Sequence, residues 1–321
     1  MTERALLAGG AGFVGLHLAR ELLERGWRVT VVDDFSRGRR DRCLEELLEG
    51  EAELVEHDLT RPLGRGVAER PDLVVHLAAV VGVGNVSSAP AAVLRTNLLT
   101  LDNVLAWSLE AGAGSFAFSS TSEIADAAVA LGLAAVPVDE EAPFVCPDLG
   151  APRASYALGK ACGEMLVRAT AARQRLPATI VRFFNVYGPR MGSAHAIPEL
   201  IERALAGGDR VDVFGAEPTR AFCYVEDAVR ALLELVPLAA PEPLPVNVGN
   251  DREEIAIGEL ARKILALTGS EAELVPRPAP PGSPRRRCPD LGRLRSLTGF
   301  EPRVPLDVGL RRTIDRYAAV A

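Results

Sequence analysis

The sequence predicts an α/β fold built on a parallel sheet. In the first half, short apolar runs alternate with helix-length segments. Such alternation is typical of βαβ units with right-handed crossovers. The first apolar run is followed at once by glycines and then by a helical pattern. The second half is less regular and richer in proline, which indicates a smaller lobe.

The apolar runs set the order of the predicted elements. We expect strands at Arg4 to Ala8, Trp27 to Val32, Glu53 to Glu56, Leu73 to Ala78, Ser115 to Ser119 and Thr179 to Phe183. We expect helices at Val14 to Arg25, Leu94 to Ala111 and Ser155 to Gln174. In the second half the pattern predicts a strand and turn at Gly207 to Pro218, then helices at Ile255 to Thr268 and Asp307 to Ala318.

Composition and charge exclude several classes of protein. The chain has 321 residues, of which 48% are hydrophobic and 25% charged, and its formal net charge is -7. This is globular composition, and the negative charge disfavours bulk binding to nucleic acid or to an anionic membrane. The cysteines and histidines show no metal-ligand spacing, which predicts no metal site. No apolar stretch is long enough to span a bilayer, so we expect a cytoplasmic protein.

A glycine-rich turn follows the first predicted strand and indicates a phosphate loop. Gly9, Gly12 and Gly15 would serve a tight turn, a close approach to pyrophosphate and close packing of the helix. The helix that begins after the turn offers free N–H groups to an anion. Asp33 ends the next strand, where it can accept hydrogen bonds from a ribose and favours NAD over NADP. These features predict a doubly wound sheet of Rossmann type that binds NAD.

Tyr156 and Lys160 stand four residues apart in a predicted helix, so their side chains share one face. A nearby ammonium favours the phenolate, which would make Tyr156 a general base near neutral pH. Lys160 is one of only two lysines in the chain. Thr121, Ser122 and Glu123 end the preceding strand at the same edge of the sheet, where Thr121 could hydrogen-bond a reacting hydroxyl and the other two would reach the neighbouring substrate carbons.

These motifs resemble those of the extended short-chain dehydrogenase/reductases that act on nucleotide sugars. The resemblance covers essentially the whole chain, including Asp58-Leu59, His76-Leu77-Ala78-Ala79, Asn97 and the run from Arg182 to Pro189. It implies two domains: a Rossmann domain over residues 1–182, to which 221–249 return, and a smaller α/β lobe for the nucleotide sugar over 183–321. It also implies a homodimer, joined through a four-helix bundle.

The resemblance also implies the residues of the site. The cofactor-binding residues would be Gly9, Gly12, Phe13, Val14, Asp33, Asp58, Leu59, Leu77, Ala78, Ala79, Asn97, Tyr156 and Lys160. The catalytic residues would be Thr121, Ser122, Glu123, Tyr156 and Lys160. Asn185 and Arg220 would hold the nucleotide and its diphosphate, for which an arginine fork is suited, and Arg287 would neutralise and orient the diphosphate or developing charge.

Later motifs narrow the resemblance to one branch. The runs from Thr219 to Asp227 and from Arg287 to Asp290 are similar to those of UDP-glucuronate decarboxylases, as is Thr121-Ser122-Glu123. This implies decarboxylation of UDP-glucuronate through a 4-keto sugar to UDP-xylose, UDP-4-keto-xylose or both. Two alternatives remain open: a nucleotide-sugar 4-epimerase, acting on UDP-glucuronate or a UDP-hexose, and an NAD-binding sensor without turnover.

The segment that follows Glu123 departs from the family pattern. Family members have Val-Tyr-Gly at this point, whereas this chain has Ile124-Ala125-Asp126 and then an apolar stretch to Val138. Because the segment follows the predicted catalytic residues directly, we expect it to reshape the sugar pocket or to form a lid.

Overall fold

The computed structural model describes residues 2–193 and 195–319. Its strands are β1 (Arg4–Ala8), β2 (Arg28–Asp33), β3 (Ala52–Glu56), β4 (Leu73–His76), β5 (Ser115–Thr121), β6 (Ala178–Phe183), β7 (Val186–Tyr187), β8 (Arg210–Phe214), β9 (Thr219–Ala221), β10 (Cys223–Tyr224), β11 (Pro245–Val248), β12 (Glu254–Ala256), β13 (Glu273–Arg277) and β14 (Arg286–Arg287). Its helices are α1 (Phe13–Glu24), α2 (Arg42–Leu48), α3 (Val83–Ser88), α4 (Pro90–Glu110), α5 (Asp126–Ala130), α6 (Ala154–Gln174), α7 (Ala196–Leu205), α8 (Val225–Leu235), α9 (Ile257–Thr268), α10 (Gly292–Thr298) and α11 (Leu306–Ala318).

The main sheet confirms the predicted α/β fold. Within the described residues it has seven strands in the order β11-β6-β5-β4-β1-β2-β3. β1 pairs in parallel with both β2 and β4, and β3 and β5 continue the sheet in parallel on either side. The strand order reverses between β1 and β4, because the chain first builds outward to β3 and then returns. In doubly wound sheets ligands bind at this switch point, beyond the carboxyl ends of the strands.

The residues of the sheet explain why it is buried. Every residue of β4 is buried, as are most residues of β1 and β5. Continuous apolar runs of this kind are typical of parallel strands that are covered on both faces. Phe116 and Phe118 of β5 pack in one core cluster with Trp107 of α4 and Val167 of α6. The sheet and these two long helices thus share a single core.

The described chain divides into two compact units. The first comprises Met1–Ile124, Cys146–Arg182 and Val229–Val246, and the second comprises Ala125–Val145, Phe183–Ala228 and Asn247–Ala321. The predicted domain division differs from these units in two places. Residues 125–145 lie in the second unit because their apolar side chains pack with Phe184, and the segment that returns to the first unit is shorter than 221–249. Residues 320 and 321 of the predicted lobe lie outside the described residues.

The second unit has its own small sheets and helices. β9 is the central strand of a sheet with β12 on one side and β14 on the other. β8 pairs in parallel with β13, and α7 and α11 both pack on α9. These elements match the predicted strand near 210 and the two predicted helices, apart from boundaries.

The helices without a counterpart among the predicted elements are α2, α3, α5, α7, α8 and α10. At α2 a signal was present, since the Asp41 side chain caps the helix by accepting a hydrogen bond from the Leu44 N–H at 3.2 Å.

Through the described part of the chain, no helix combines the length and apolar character that crossing a membrane requires.

Gly163 marks a point of close packing between α6, α4 and β5. A Cβ placed on Gly163 would lie 2.6 Å from Phe118 Cζ and 3.0 Å from Leu101 Cδ2. We expect Gly163→Ala to destabilise the protein by about 1–3 kcal/mol, because neither the buried ring nor the leucine has room to move. Gly159→Ala is the matched control on the same helix, since its Cβ would meet no atom closer than 3.4 Å.

The two variants are compared by urea denaturation. Gly159→Ala should be neutral or stabilise the protein by up to about 1 kcal/mol, because alanine favours the helix. Equal stabilities of the two variants would contradict the packing that is described here.

Candidate active site

The turn between β1 and α1 needs glycine at two positions. Gly9 has a φ of 81° and its N–H donates to the Val32 carbonyl at 2.8 Å. A Cβ on Gly9 would lie 2.6 Å from the Ala78 nitrogen, and one on Gly15 would lie 2.7 Å from Gly10 Cα. Larger residues would therefore push apart the turn, α1 and the end of β4.

The start of α1 is suited to an anion. Gly12 is the N-cap residue of α1 and no side chain caps it. A Cβ on Gly12 would meet only Gly9 O, at 3.1 Å, so the turn is open on this side. Phe13 and Val14 begin the helix. The N–H groups of this first turn and the helix dipole fit a pyrophosphate, which is the part of NAD that such turns bind.

Asp33 is buried at the end of β2 beside this turn. Its Oδ2 accepts a hydrogen bond from the Ala11 N–H at 3.0 Å, and its Oδ1 accepts one from the Phe35 N–H at 2.9 Å. These two bonds fix the carboxylate next to the phosphate loop, as a residue that binds a ribose requires.

The loop after β4 is held in place by Asn97 of α4. The Asn97 side chain accepts from the Val80 N–H at 2.7 Å and donates to the Val80 carbonyl at 3.1 Å. Leu77 and Ala78 both donate their N–H groups to the Ala8 carbonyl, at 2.8 and 2.9 Å. The predicted residues around the end of β4 thus lie directly across from the phosphate loop.

Two predicted cofactor residues follow β3. Asp58 is partly exposed and accepts hydrogen bonds from the Thr60 N–H and hydroxyl at 2.9 and 2.7 Å, which hold the pKa of its carboxyl below the usual range. The Leu59 side chain lies in the core, and its carbonyl accepts from Asn103 at 2.9 Å. Asp58 can therefore bind a cofactor with its side chain, whereas Leu59 has only its N–H to offer.

Arg37 lies in the loop after β2, close to the predicted cofactor-binding residues. Its Nη1 donates a hydrogen bond to the Ala79 carbonyl at 3.4 Å. The side chain thus reaches from the loop after β2 to the loop after β4, among the predicted cofactor residues.

Lys160 lies in a buried, mostly apolar environment on α6. Its ammonium donates to the Ser119 carbonyl at 2.6 Å and lies 4.8 Å from the centre of the Phe118 ring. Burial lowers the pKa of Lys160 to about 7, and the nearby Glu164 carboxylate opposes this shift. Tyr156 lies one turn earlier on the same helix and is half-buried.

The end of β5 leads into a 3₁₀ turn that carries the other predicted catalytic residues. Thr121 and Ser122 are buried, and Glu123 is half-buried. Thr121 Oγ1 accepts a hydrogen bond from the Glu123 N–H at 3.2 Å. This bond orients the turn at the carboxyl end of the strand, where a doubly wound sheet binds ligands.

Sequence reasoning missed Glu164, which lies one turn beyond Lys160. Its carboxylate forms a bidentate pair with Arg182 of β6, with both N–O distances 2.8 Å. Oε1 also accepts from the Ser120 hydroxyl at 2.6 Å. All three side chains are buried. The spacing of Tyr156, Lys160 and Glu164 at four-residue intervals was the signal that could have found it.

His76 ends β4 in a fully buried position. Burial and the nearby Lys160 ammonium lower the pKa of His76 to about 3, so the ring is neutral. Its ring lies 5.9 Å from that of Phe118. A neutral histidine beside Lys160 adds no charge to this buried region.

The three predicted nucleotide-binding residues come together in the second unit. β14 pairs with β9 so that Arg287 stands opposite Arg220. Arg287 Nη1 donates to Asn185 Oδ1 at 3.5 Å, and Asn185 Nδ2 donates to the Ala221 carbonyl at 2.9 Å. Arg287 also forms an ion pair with Asp126. The Arg287 guanidinium and the Asn185 amide together fit a diphosphate. The Arg220 Nη1 donates to the Thr219 carbonyl at 2.7 Å.

The described residues (2–193 and 195–319) include no cluster of three histidine, cysteine, aspartate or glutamate side chains that could hold a metal ion.

The fold and the site define an NAD-binding enzyme that carries a Tyr/Lys pair on α6, the helix that precedes β6. A family model agrees with this class: residues 5–249 match the model described as "NAD dependent epimerase/dehydratase family". The chain belongs to this family. The resemblance inferred from the motifs is thereby confirmed, as is NAD as the cofactor.

Named relatives match nearly the whole chain. A UDP-glucuronic acid decarboxylase 1 from Xenopus tropicalis is 36% identical over 98% of this chain and 72% of its own length. A UDP-N-acetyl-alpha-D-glucosaminuronate decarboxylase from Bacillus cytotoxicus is 33% identical over 100% of this chain and 99% of its own.

Solved structures share the fold from end to end. A UDP-glucose 4-epimerase from Thermotoga maritima, solved with UDP-glucose, superposes with a TM-score of 0.84 at 29% identity, over 99% of both chains. MoeE5, solved in complex with UDP-glucuronic acid and NAD, gives a TM-score of 0.83 at 27% identity, over 99% of this chain and 100% of its own.

Asp33 provides a test of the cofactor site. We expect Asp33→Asn to weaken NAD binding about tenfold and to reduce the preference for NAD over NADP, because an amide has one acceptor oxygen and no charge. Asp34→Asn is the matched control, because Asp34 is exposed and accepts hydrogen bonds from the N–H and hydroxyl of Ser36 in its own turn. Calorimetric titration of both variants with NAD and NADP measures the effect. Equal losses in the two variants would count against the assignment.

Lys160 provides a test of the buried charge. Its folded pKa of about 7 lies below the unfolded value of about 10.4, so the folded state disfavours the charged form. This destabilisation is complete below the folded pKa and disappears as the pH rises to the unfolded value. We expect Lys160→Met to stabilise the cofactor-free protein by about 2 kcal/mol near pH 7, and by less near pH 10.

Lys263→Met is the control for this prediction. Lys263 is partly exposed and pairs with Asp307 at 2.7 Å, so its loss should change stability little at either pH. Urea denaturation at the two pH values gives the comparison. A Lys160→Met variant that is less stable than wild type near pH 7 would refute the argument.

Proposed function

We propose that the protein catalyses the NAD-dependent decarboxylation of UDP-glucuronate through a 4-keto intermediate, and releases UDP-xylose, UDP-4-keto-xylose or both. The observation that carries the proposal is the near full-length match to relatives that are named as decarboxylases of UDP-linked uronic acids. The Thr121-Ser122-Glu123 turn and the Tyr156/Lys160 pair supply side chains for this reaction.

Tyr156 is the proposed general base. It accepts the proton of the sugar 4-hydroxyl as C4 becomes a ketone, and Thr121 supports the developing oxyanion by a hydrogen bond. The Lys160 ammonium favours the phenolate form of Tyr156 by its positive charge. NAD+, when bound, supplies the hydride acceptor at C4.

Loss of CO2 follows from the chemistry of this ketone. With a ketone at C4 and the carboxylate on C5, the sugar is a β-keto acid. The C5–carboxylate bond breaks and its electron pair passes to the C4 carbonyl as an enolate, which is then protonated at C5. In this proposal Ser122 and Glu123 order the substrate and a water molecule near C5. Return of the hydride to C4 gives UDP-xylose, whereas early release gives the 4-keto sugar.

Asn185, Arg220 and Arg287 are the proposed nucleotide and diphosphate ligands. The contact of Arg287 with Asn185, and the strand register that sets Arg220 opposite Arg287, support this assignment, because a diphosphate needs several donors with fixed directions.

One other substrate and one other reaction are supported by specific similarities. The relative from Bacillus cytotoxicus favours UDP-N-acetylglucosaminuronate as a second candidate substrate for the same decarboxylation. The structural similarity to a UDP-glucose 4-epimerase favours epimerisation at C4, in which the same Tyr156 would act and no CO2 would leave. The decarboxylase relatives match this chain with higher identity, which is why we place decarboxylation first.

A homodimer and a cytoplasmic location remain predictions. The packing of α4 against α6, together with exposed apolar side chains at Leu99 and Met165 on these helices, supports a dimer through a four-helix bundle.

The reaction is tested by incubating the protein with NAD+ and UDP-glucuronate under anaerobic conditions, with CO2 trapped and the sugars identified by NMR. We expect CO2 together with UDP-xylose or its 4-keto precursor. Tyr156→Phe should lower the rate at least about 100-fold and keep NAD binding. UDP-galacturonate without CO2 would establish the epimerase, and unchanged cellular activity of Tyr156→Phe with intact NAD binding would favour the sensor.

A further inference from the structure

The apolar segment after Glu123 is anchored to the strand that carries Arg287. Ala125, Val138 and Ala142 form a small buried cluster with Phe184. The Val138 N–H donates to the Cys288 carbonyl at 2.9 Å, and the Val138 carbonyl accepts from the Asp290 N–H at 2.7 Å. The segment therefore has a packed position of its own within the second unit.

This anchoring places Asp126, the first residue of α5, against the Arg287 guanidinium. Arg287 Nε donates to Asp126 Oδ1 at 3.2 Å, and Nη2 contacts Oδ2. The pair is bidentate, and its side chains are only 13% and 26% exposed. Partial burial strengthens such a pair relative to one on the surface.

Asp126 lies among the residues that are predicted to bind the diphosphate. Its pair with Arg287 therefore differs from an ordinary ion pair on the surface. Arg287 also contacts Asn185 and stands opposite Arg220 on β9. The neighbouring Arg286 is different: its side chain leaves the other face of β14 and pairs with Glu254, at 2.9 and 2.7 Å. Of these two pairs, only the one made by Asp126 engages a proposed diphosphate ligand.

A carboxylate and a phosphate use the same edge of an arginine. The Nε–Nη2 edge of a guanidinium presents two parallel N–H groups that match two oxygens of either anion. A diphosphate that binds Arg287 through this edge must displace Asp126. A diphosphate that binds through another edge must still tolerate a carboxylate charge beside it. In both cases the Asp126 carboxylate weakens the binding of the diphosphate.

We propose that Asp126 competes with the substrate's diphosphate for Arg287 and so sets the affinity of this protein for its nucleotide sugar. The inference rests on the part of the proposed function that makes Arg287 a diphosphate ligand. It gives the atypical segment a function: the segment holds an acidic side chain at the place where the family pattern has glycine.

The test is calorimetric titration of Asp126→Asn with UDP. The amide keeps the size of the side chain and removes its charge, so we expect UDP to bind about tenfold tighter than to wild type, and inorganic pyrophosphate to bind more tightly as well. Asp126→Ser is a second variant, in case the amide disturbs α5, and it should shift the affinity in the same direction. Circular dichroism and thermal unfolding establish that each variant is folded.

Two controls show whether the effect passes through Arg287. Asp139→Asn removes one exposed carboxylate from the same segment and should leave UDP affinity unchanged. In an Arg287→Gln background, Asp126→Asn should give little or no gain, because the double-mutant cycle isolates the interaction between the two side chains.

The inference is overturned if UDP binds to Asp126→Asn with the wild-type affinity or more weakly, or if it binds to neither protein. Weaker binding would mean that Asp126 orients the guanidinium. Because the readout is UDP binding, it is independent of turnover. If Asp126→Asn binds UDP more tightly but the protein releases no CO2, the inference stands and the proposed reaction is refuted. If the protein releases CO2 but Asp126→Asn binds UDP no more tightly, the reaction stands and the inference is refuted.

Discussion

The carboxylate of Glu164 is the contact on which the position of α6 depends. It joins α6 to β6 through Arg182 and to β5 through the Ser120 hydroxyl, all in buried surroundings. Removal of one partner from such a pair typically costs about 3–5 kcal/mol, because the other charge stays buried. Tyr156 and Lys160 lie on the same helix, so their placement relative to the ends of the parallel strands rests on this cluster.

The first unit could be predicted largely from the sequence. Parallel strands that are buried on both faces read as continuous apolar runs, and the glycine turn marks the first crossover without ambiguity. Gly9 is required by the positive φ of its turn, and the Asp33 carboxylate accepts a hydrogen bond from the backbone of that turn. The ends of the elements moved by a few residues, since helix and strand termini depend on capping and on tertiary contacts.

The rest required the structure, because it depends on contacts between residues that are far apart in the chain. Asp126 and Arg287 are separated by most of the second unit's sequence, and no local spacing relates them. The apolar run after Glu123 predicts a lid or a reshaped pocket, and only the structure shows that its side chains pack on Phe184. Arg37 and Ala79 are likewise far apart in the chain, and only the fold shows that the Arg37 side chain reaches the Ala79 carbonyl.

The two lysines of the chain lie in opposite environments, and this has a practical consequence. Lys160 is buried, whereas Lys263 is exposed on α9 in the second unit. An amine-reactive reagent in water therefore meets one lysine side chain in the folded protein. A fluorophore or a surface tether can be attached at Lys263 under native conditions without modifying the amine beside Tyr156, so labelled or immobilised protein should retain its site chemistry.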